Sequence, residues 1–208
     1  AVIAALKPGV TELQMVGIAQ KVIYEEGAEY EGLPMYVFSE ESTRHAISRS
    51  CYREIKKGDI VQLNLSAKID GYSPAIGLPV IMGKLEGERR DLIQFCLDAH
   101  IWTCEQIKTG RVASDIAKDF LKKFEDAGYA KNYVYGPCHG TGMIEVEAPW
   151  METSSDYNLE TNMTFQVDTF ISGPTFGCRW EKGIAVKENG ILSMTDYLEK
   201  NGIIELDF

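Results

Sequence analysis

The sequence predicts an α+β fold made of two similar halves that face each other across a pseudo-two-fold axis. Three observations lead there. KPGVTELQMVGIAQKVIYEEG has a counterpart in KTGRVASDIAKDFLKKFEDAG, so that Gly9 and Gly27 recur as Gly110 and Gly128, 101 positions later in both cases. VQLNL (61–65) resembles FQVDT (165–169), which matches Gln62 with Gln166 and Asn64 with Asp168 at an offset of 104. A period near 100 is too long for a solenoid, so the two copies read as halves of one unit, each a helix followed by strands, with Asn64 and Asp168 as symmetry mates.

The elements follow in order. Residues 10–27 place Val10, Leu13, Val16, Ile18, Val22 and Ile23 on one side of an amphipathic helix, capped by Thr11 and stopped at Gly27. PMYVF (34–38) reads as a strand. Val61, Leu63 and Leu65 alternate with Gln62, Asn64 and Ser66, and Asp70-Gly71 supplies turn chemistry, so 61–75 reads as a β-hairpin. Its polar row either faces water or lines a site. Residues 87–107 and 112–127 read as two helices, the second ended by Gly128. MTFQVDTFI (163–171) alternates like a strand, GIAVK (183–187) is a short strand before the Glu188-Asn189-Gly190 turn, and SMTDYLEKNGIIEL closes the chain as helix and strand.

Composition bounds the function. The chain has 208 residues, 45% hydrophobic and 25% charged, enough for a self-sufficient core, and 1–208 is expected to form one domain. Five cysteines without C-x-x-C spacing argue for reduced thiols and a cytoplasmic setting, and against a zinc ribbon. A net charge of −10 disfavours nucleic acid as a partner, and no apolar run is long enough for a membrane span. The start, AVIAALKPGV, lacks a basic n-region and a cleavage site, and it begins inside what reads as a helix. The expectation is the C-terminal part of a longer chain.

Few residues can carry chemistry. His100 lies in a helical pattern and reads as structural. His139 lies in GPCHGTG, where flanking glycines let backbone approach a ligand, and His45 lies in the polar segment SEESTRHAIS. Asp168 sits mid-strand between apolar residues, where burial demands a cation or hydrogen-bond donors, and Glu181 precedes the 183–187 strand. One imidazole and two carboxylates would suit a divalent metal if the fold brought them together.

The order GDIV-x-L-N…DGY, HGTG…E-x-P, MTF-x-V-D and W-E-K-G-I-x-V resembles the pita-bread family of methionine aminopeptidases, Xaa-Pro aminopeptidases, prolidases and creatinase, from about Lys7 to the C-terminus. The resemblance implies two α+β halves around a curved antiparallel sheet with helices outside, and in the prolidase-like branch a preceding N-terminal domain. The family's peptidases hold two metal ions with five side chains. Matched position by position, these fall on Asn64, Ala75, His139, Asp168 and Glu181, and a substrate-side His falls on Val146. Asn is a weak ligand and Ala none. The resemblance therefore implies a metal-free site, or at most a single ion such as Mn or Zn on His139, Asp168 and Glu181. Creatinase is similar in having Asn and Ala at those hairpin positions and works without metal. Its base matches His45, but its substrate-binding Glu falls on Gly77. The implied roles are His45, His139 and Glu181 in catalysis and Asn64, Asp168 and Tyr72 in substrate binding. The implied activities are a Xaa-Pro peptidase-like hydrolase, a metal-independent C–N hydrolase or a non-catalytic binding module. The implied partners are a small peptide or small C–N substrate and a second copy in a homodimer.

Overall fold

The computed structural model describes residues 1–208. In chain order the first half contains α1 (Val2–Ala5), α2 (Glu12–Glu25), β1 (Tyr30–Glu31), β2 (Tyr36–Ser39), β3 (Ile60–Lys68) and β4 (Ala75–Ile81). The helix α3 (Gly87–Gln106) leads into α4 (Ala113–Asp126), β5 (Cys138–Gly140), β6 (Glu147–Met151), β7 (Thr164–Ser172), β8 (Gly177–Lys187) and β9 (Gly190–Ser193), and α5 (Tyr197–Asn201) and β10 (Ile204–Glu205) close the chain. All ten strands join one sheet, whose central path runs β3-β4-β8-β7-β5 with every pair antiparallel; only β10 runs parallel to its neighbour, β4.

The internal repeat is visible in this order. β2, β3 and β4 on one side of the β4–β8 seam mirror β5, β7 and β8 on the other. The repeated glycines adopt the same left-handed backbone, with φ of +91° at Gly9 and +85° at Gly110, and +91° at Gly27 and +79° at Gly128. Loop hydrogen bonds repeat as well: the Gly9 amide donates to the Ile55 carbonyl at 2.9 Å and the Gly110 amide to that of Leu159 at 2.8 Å.

The local chemistry accounts for the elements. Thr11 caps α2 through the Gln14 amide while the Gln14 side chain accepts from the Thr11 amide, a reciprocal capping box. In α4, Ile116, Ala117, Phe120 and Phe124 recur at helical spacing and are all buried. Asp70 and Gly71 turn the β3–β4 hairpin with φ of +49° and +83°, the two positive angles a type I′ turn requires. α3 packs on β7 and β8 and buries Leu92, Ile93, Cys96, Leu97 and His100. The strand expected at 183–187 begins earlier, at Gly177, because Cys178–Ile184 pair with β7 along its length. Glu181 therefore stands mid-strand rather than before a strand.

Candidate functional site

The sheet places one row of side chains across the seam. Asn64 pairs with Gly77, Gly77 with Glu181, and Glu181 with Asp168, so these four positions share a face of β3, β4, β8 and β7. His139 joins from β5, paired with Gln166 two residues along β7 from Asp168. The polar row of the first hairpin is thus no wetted face: Gln62, Asn64 and Ser66 are all buried.

Each strand neighbour has a physical reason. Pro79 on β4 has no amide hydrogen, and the β4–β8 pairing is limited to Ile76 with Lys182 and Gly77 with Glu181. Gln62, opposite Pro79, reaches across to fill the gap: its Oε1 accepts from the Arg179 amide at 2.8 Å and its Nε2 donates to the Arg179 carbonyl at 3.1 Å. Gly77 leaves room for Asn64, since a Cβ there would stand 2.7 Å from Asn64 Nδ2 and 2.9 Å from Glu181 Cβ. Asn64 Nδ2 uses that room to donate to Glu181 Oε2 at 2.6 Å, while Asn64 Oδ1 accepts from Gln62 at 3.0 Å. Asn64 is therefore engaged at both ends of its amide and orients Glu181.

Four ionisable side chains converge beside this row. His139 Nε2 lies 3.8 Å from Glu145 Oε1, 3.9 Å from Asp168 Oδ2 and 3.8 Å from Glu181 Oε1. Donor atoms of His139, Asp168 and Glu181 all lie within 4.8 Å of one another. On the far side, Arg179 Nε pairs with Asp168 Oδ1 at 3.0 Å and Tyr135 donates to both Asp168 oxygens at 3.0 and 2.9 Å. Arg179 also donates to the Ala46 carbonyl and to the Tyr135 hydroxyl, both at 2.9 Å. The cluster faces a cavity of about 510 Å³ whose walls include Tyr36, Ile47, Val146 and Trp150.

The electrostatics follow from three buried carboxylates sharing one guanidinium and one imidazole. Burial would lower His139, but Glu181 and Asp168 outweigh it and hold the imidazole up to about 9. Burial, reinforced by the charge of Glu181, pushes Glu145 up to about 9. Burial likewise raises Asp168 to about 6, against the pull of Arg179. At Glu181 burial is outweighed by His139 and Arg179, and its carboxyl lies below the usual range. By itself the pocket thus takes up protons, because its carboxylates exceed its fixed cations.

The structure gathers His139, Asp168 and Glu181 and leaves other candidates outside. His45 is exposed at the end of the 3₁₀ turn Glu40–Arg44, although its neighbours Ala46 and Ile47 line the cavity. Tyr72 is 61% exposed beside the hairpin turn, in a separate shallow hollow with Ile69, Pro74 and Thr141. Ala75 is buried and offers no donor, and Val146 is half-exposed on the cavity wall. His100 is sealed behind the sheet, where burial pushes it down to about 3 and keeps it neutral. Sequence reasoning missed Glu145, Tyr135 and Arg179. Arg179 carried a signal, since it stands two residues before Glu181 and therefore on the same strand face. Glu145 lies in the connection between β5 and β6, where no periodicity marks an inward side chain.

A sheet of this order with these residues on its seam defines a known class. Residues 1–188 match the model of metallopeptidase family M24, and the chain belongs to that family. It is 28% identical to the uncharacterized peptidase YqhT of Bacillus subtilis over 93% of this chain and 55% of that protein. It is 23% identical to the Xaa-Pro dipeptidase of Pyrococcus furiosus over 94% of this chain and 56% of that one. The X-Pro aminopeptidase of Thermotoga maritima superposes with a TM-score of 0.93 at 21% identity, covering 99% of this chain and 57% of that chain, which shows the pita-bread fold. The chain spans about half the length of the curated relatives it matches. No helix is long and apolar enough to cross a membrane.

Proposed function

We propose that this chain is a Xaa-Pro peptidase-type hydrolase domain whose site has room for one divalent ion at most. The observation that carries this reading is the convergence of His139, Asp168 and Glu181 on one point at the base of the cavity. A second ion does not fit the residues present, because Asn64 spends both ends of its amide on Gln62 and Glu181 and Ala75 offers no donor. One ion does fit, with His139, Asp168 and Glu181 holding it. Such an ion supplies charge to polarise a carbonyl and to acidify a bound water.

The protein's own side chains supply the rest. Arg179 fixes the outer oxygen of Asp168, Tyr135 holds both of its oxygens, and Asn64 fixes the outer oxygen of Glu181, so the carboxylates keep their aim. Glu181, held ionised, keeps a negative charge at the base of the cavity that favours a cation there. Tyr36, Ile47 and Trp150 give the cavity an apolar wall that suits a pyrrolidine ring. The exposed His45 and Gly77 in place of a substrate-binding carboxylate weigh against creatinase-like chemistry. The reading carries with it one domain over 1–208, a cytoplasmic setting for the free thiols and a homodimer.

The test is turnover of a panel of Xaa-Pro dipeptides and tripeptides with and without Mn²⁺. Cleavage at the Xaa-Pro bond is expected. Binding without cleavage across the panel would replace the hydrolase with a peptide-binding module.

A further inference from the structure

We propose that Glu145 is the fourth donor of a single divalent-cation site whose other donors are His139, Asp168 and Glu181. This rests on the one-ion reading above and extends it to a residue outside the family's ligand positions.

The spacing of the four groups carries the inference. His139 Nε2 stands 3.8, 3.9 and 3.8 Å from the nearest oxygens of Glu145, Asp168 and Glu181. These gaps are too long for N–H···O hydrogen bonds, which run to roughly 3.2 Å. Ligands of a tetrahedral ion, each at roughly 2.0–2.2 Å, stand roughly 3.3–3.6 Å from one another. The three oxygens thus stand around His139 Nε2 at slightly more than ligand spacing. His139, Asp168 and Glu181 form the compact set, and Glu145 adjoins it at His139, so that a small turn of its side chain completes the fourth position.

The surroundings aim the donors inward. Asp168 gives Oδ1 to Arg179 and turns Oδ2, which also accepts from the Tyr135 hydroxyl at 2.9 Å, toward His139. Glu181 gives Oε2 to Asn64 and turns Oε1 toward His139. His139 Nδ1 is 2.9 Å from the Gly140 carbonyl, an acceptor, so Nδ1 carries a hydrogen and Nε2 can present its lone pair. Outer partners that fix ligand orientation in this way are characteristic of metal sites. Glu145 is 5% exposed, so its ionised form needs a cation beside it. Charge also balances: the three carboxylates are neutralised by a dication together with Arg179. Glu145 thus supplies a carboxylate that the hairpin positions Asn64 and Ala75 do not, and it does so from the connection between β5 and β6.

The experiment is Co²⁺ binding to the intact chain, read by calorimetry and by the visible spectrum of the ion. The same measurement is made on Glu145→Gln, Glu145→Asp and the control Glu147→Gln, with melting curves in chelator to verify folding. One ion per chain is expected, with affinity weakened at least about 10-fold in Glu145→Gln. Glu145→Asp is expected to shift the spectrum, and Glu147→Gln to match the native chain. Native affinity and spectrum in both Glu145 variants would overturn the assignment, as would a native chain that binds no ion. Because binding is read without substrate, Xaa-Pro turnover alongside either result leaves the hydrolase reading standing while the Glu145 assignment falls.

Discussion

The hairpins β3–β4 and β7–β8 occupy equivalent places on either side of the pseudo-two-fold, yet their side chains do different work. Asn64 and Asp168 are mates, as are Gly77 and Glu181, and the four form a single row. In the second hairpin both positions carry acids that face His139. In the first, the amide crosses the glycine to hold the partner hairpin's glutamate. Gln62 and Gln166 diverge in the same manner. Gln62 satisfies the Arg179 backbone across Pro79, whereas Gln166, equally buried, has neither its Oε1 nor its Nε2 hydrogen-bonded. One half supplies support and the other carries the clustered acids. Duplication sets the geometry of a site; the side chains then decide which half uses it.

The largest test of that division is Arg179→Leu. It removes the fixed cation from Asp168 and Glu181, and breaking a buried ion pair costs about 3–5 kcal/mol, which urea unfolding will read. A loss below about 1 kcal/mol would mean that the second hairpin does not depend on its charge pairing.

pH separates the two faces of the sheet. His100 is held near 3 against an unfolded value of about 6.5, so the unfolded chain binds the extra proton on acidification. His100 alone takes away about 1.4 kcal/mol of stability per pH unit between about 6.5 and 3. Glu145 and Asp168 oppose it, since their raised values make the folded chain take up protons as pH falls. The difference in acid slope between the native chain and His100→Gln isolates the histidine. His139 is held up to about 9, so its contribution is complete below about 6.5 and is lost as pH rises through 9. Urea midpoints from acid to alkaline pH check both limbs, and an unchanged acid limb in His100→Gln would contradict the assignment.

The glutamine pair is the next comparison. Gln62→Leu strands a buried amide and carbonyl of Arg179 and should cost about 1–3 kcal/mol. Gln166→Leu removes an amide that has no partner and should cost under about 1 kcal/mol, or stabilise. Equal costs would erase the distinction between the halves. The smallest effect concerns backbone alone. Gly27→Ala and Gly128→Ala meet nothing within 4 Å, so each should cost only about 1 kcal/mol for its left-handed φ, and the two costs should match.

Much of this was legible in the sequence because it rests on local pattern. The repeated glycines, the Asp70-Gly71 turn and the alternation in VQLNL and FQVDT each report backbone geometry directly, and the helices fall where their apolar periodicity places them. His139, Asp168 and Glu181 were legible through motif order. Glu145 was not, because its inward aim depends on the path of a connection between strands. The contact of Asn64 with Glu181 was not legible for a related reason: only the cross-strand register reveals that Gly77 opens a route between them. His45 and Tyr72 were placed by resemblance in segments whose side-chain direction no spacing rule fixes.

The division of labour between the hairpins is most directly tested by anomalous diffraction from crystals soaked in Mn²⁺. The expected result is one peak, among His139, Glu145, Asp168 and Glu181, with none beside Asn64 and Ala75. A second peak against the first hairpin would contradict it.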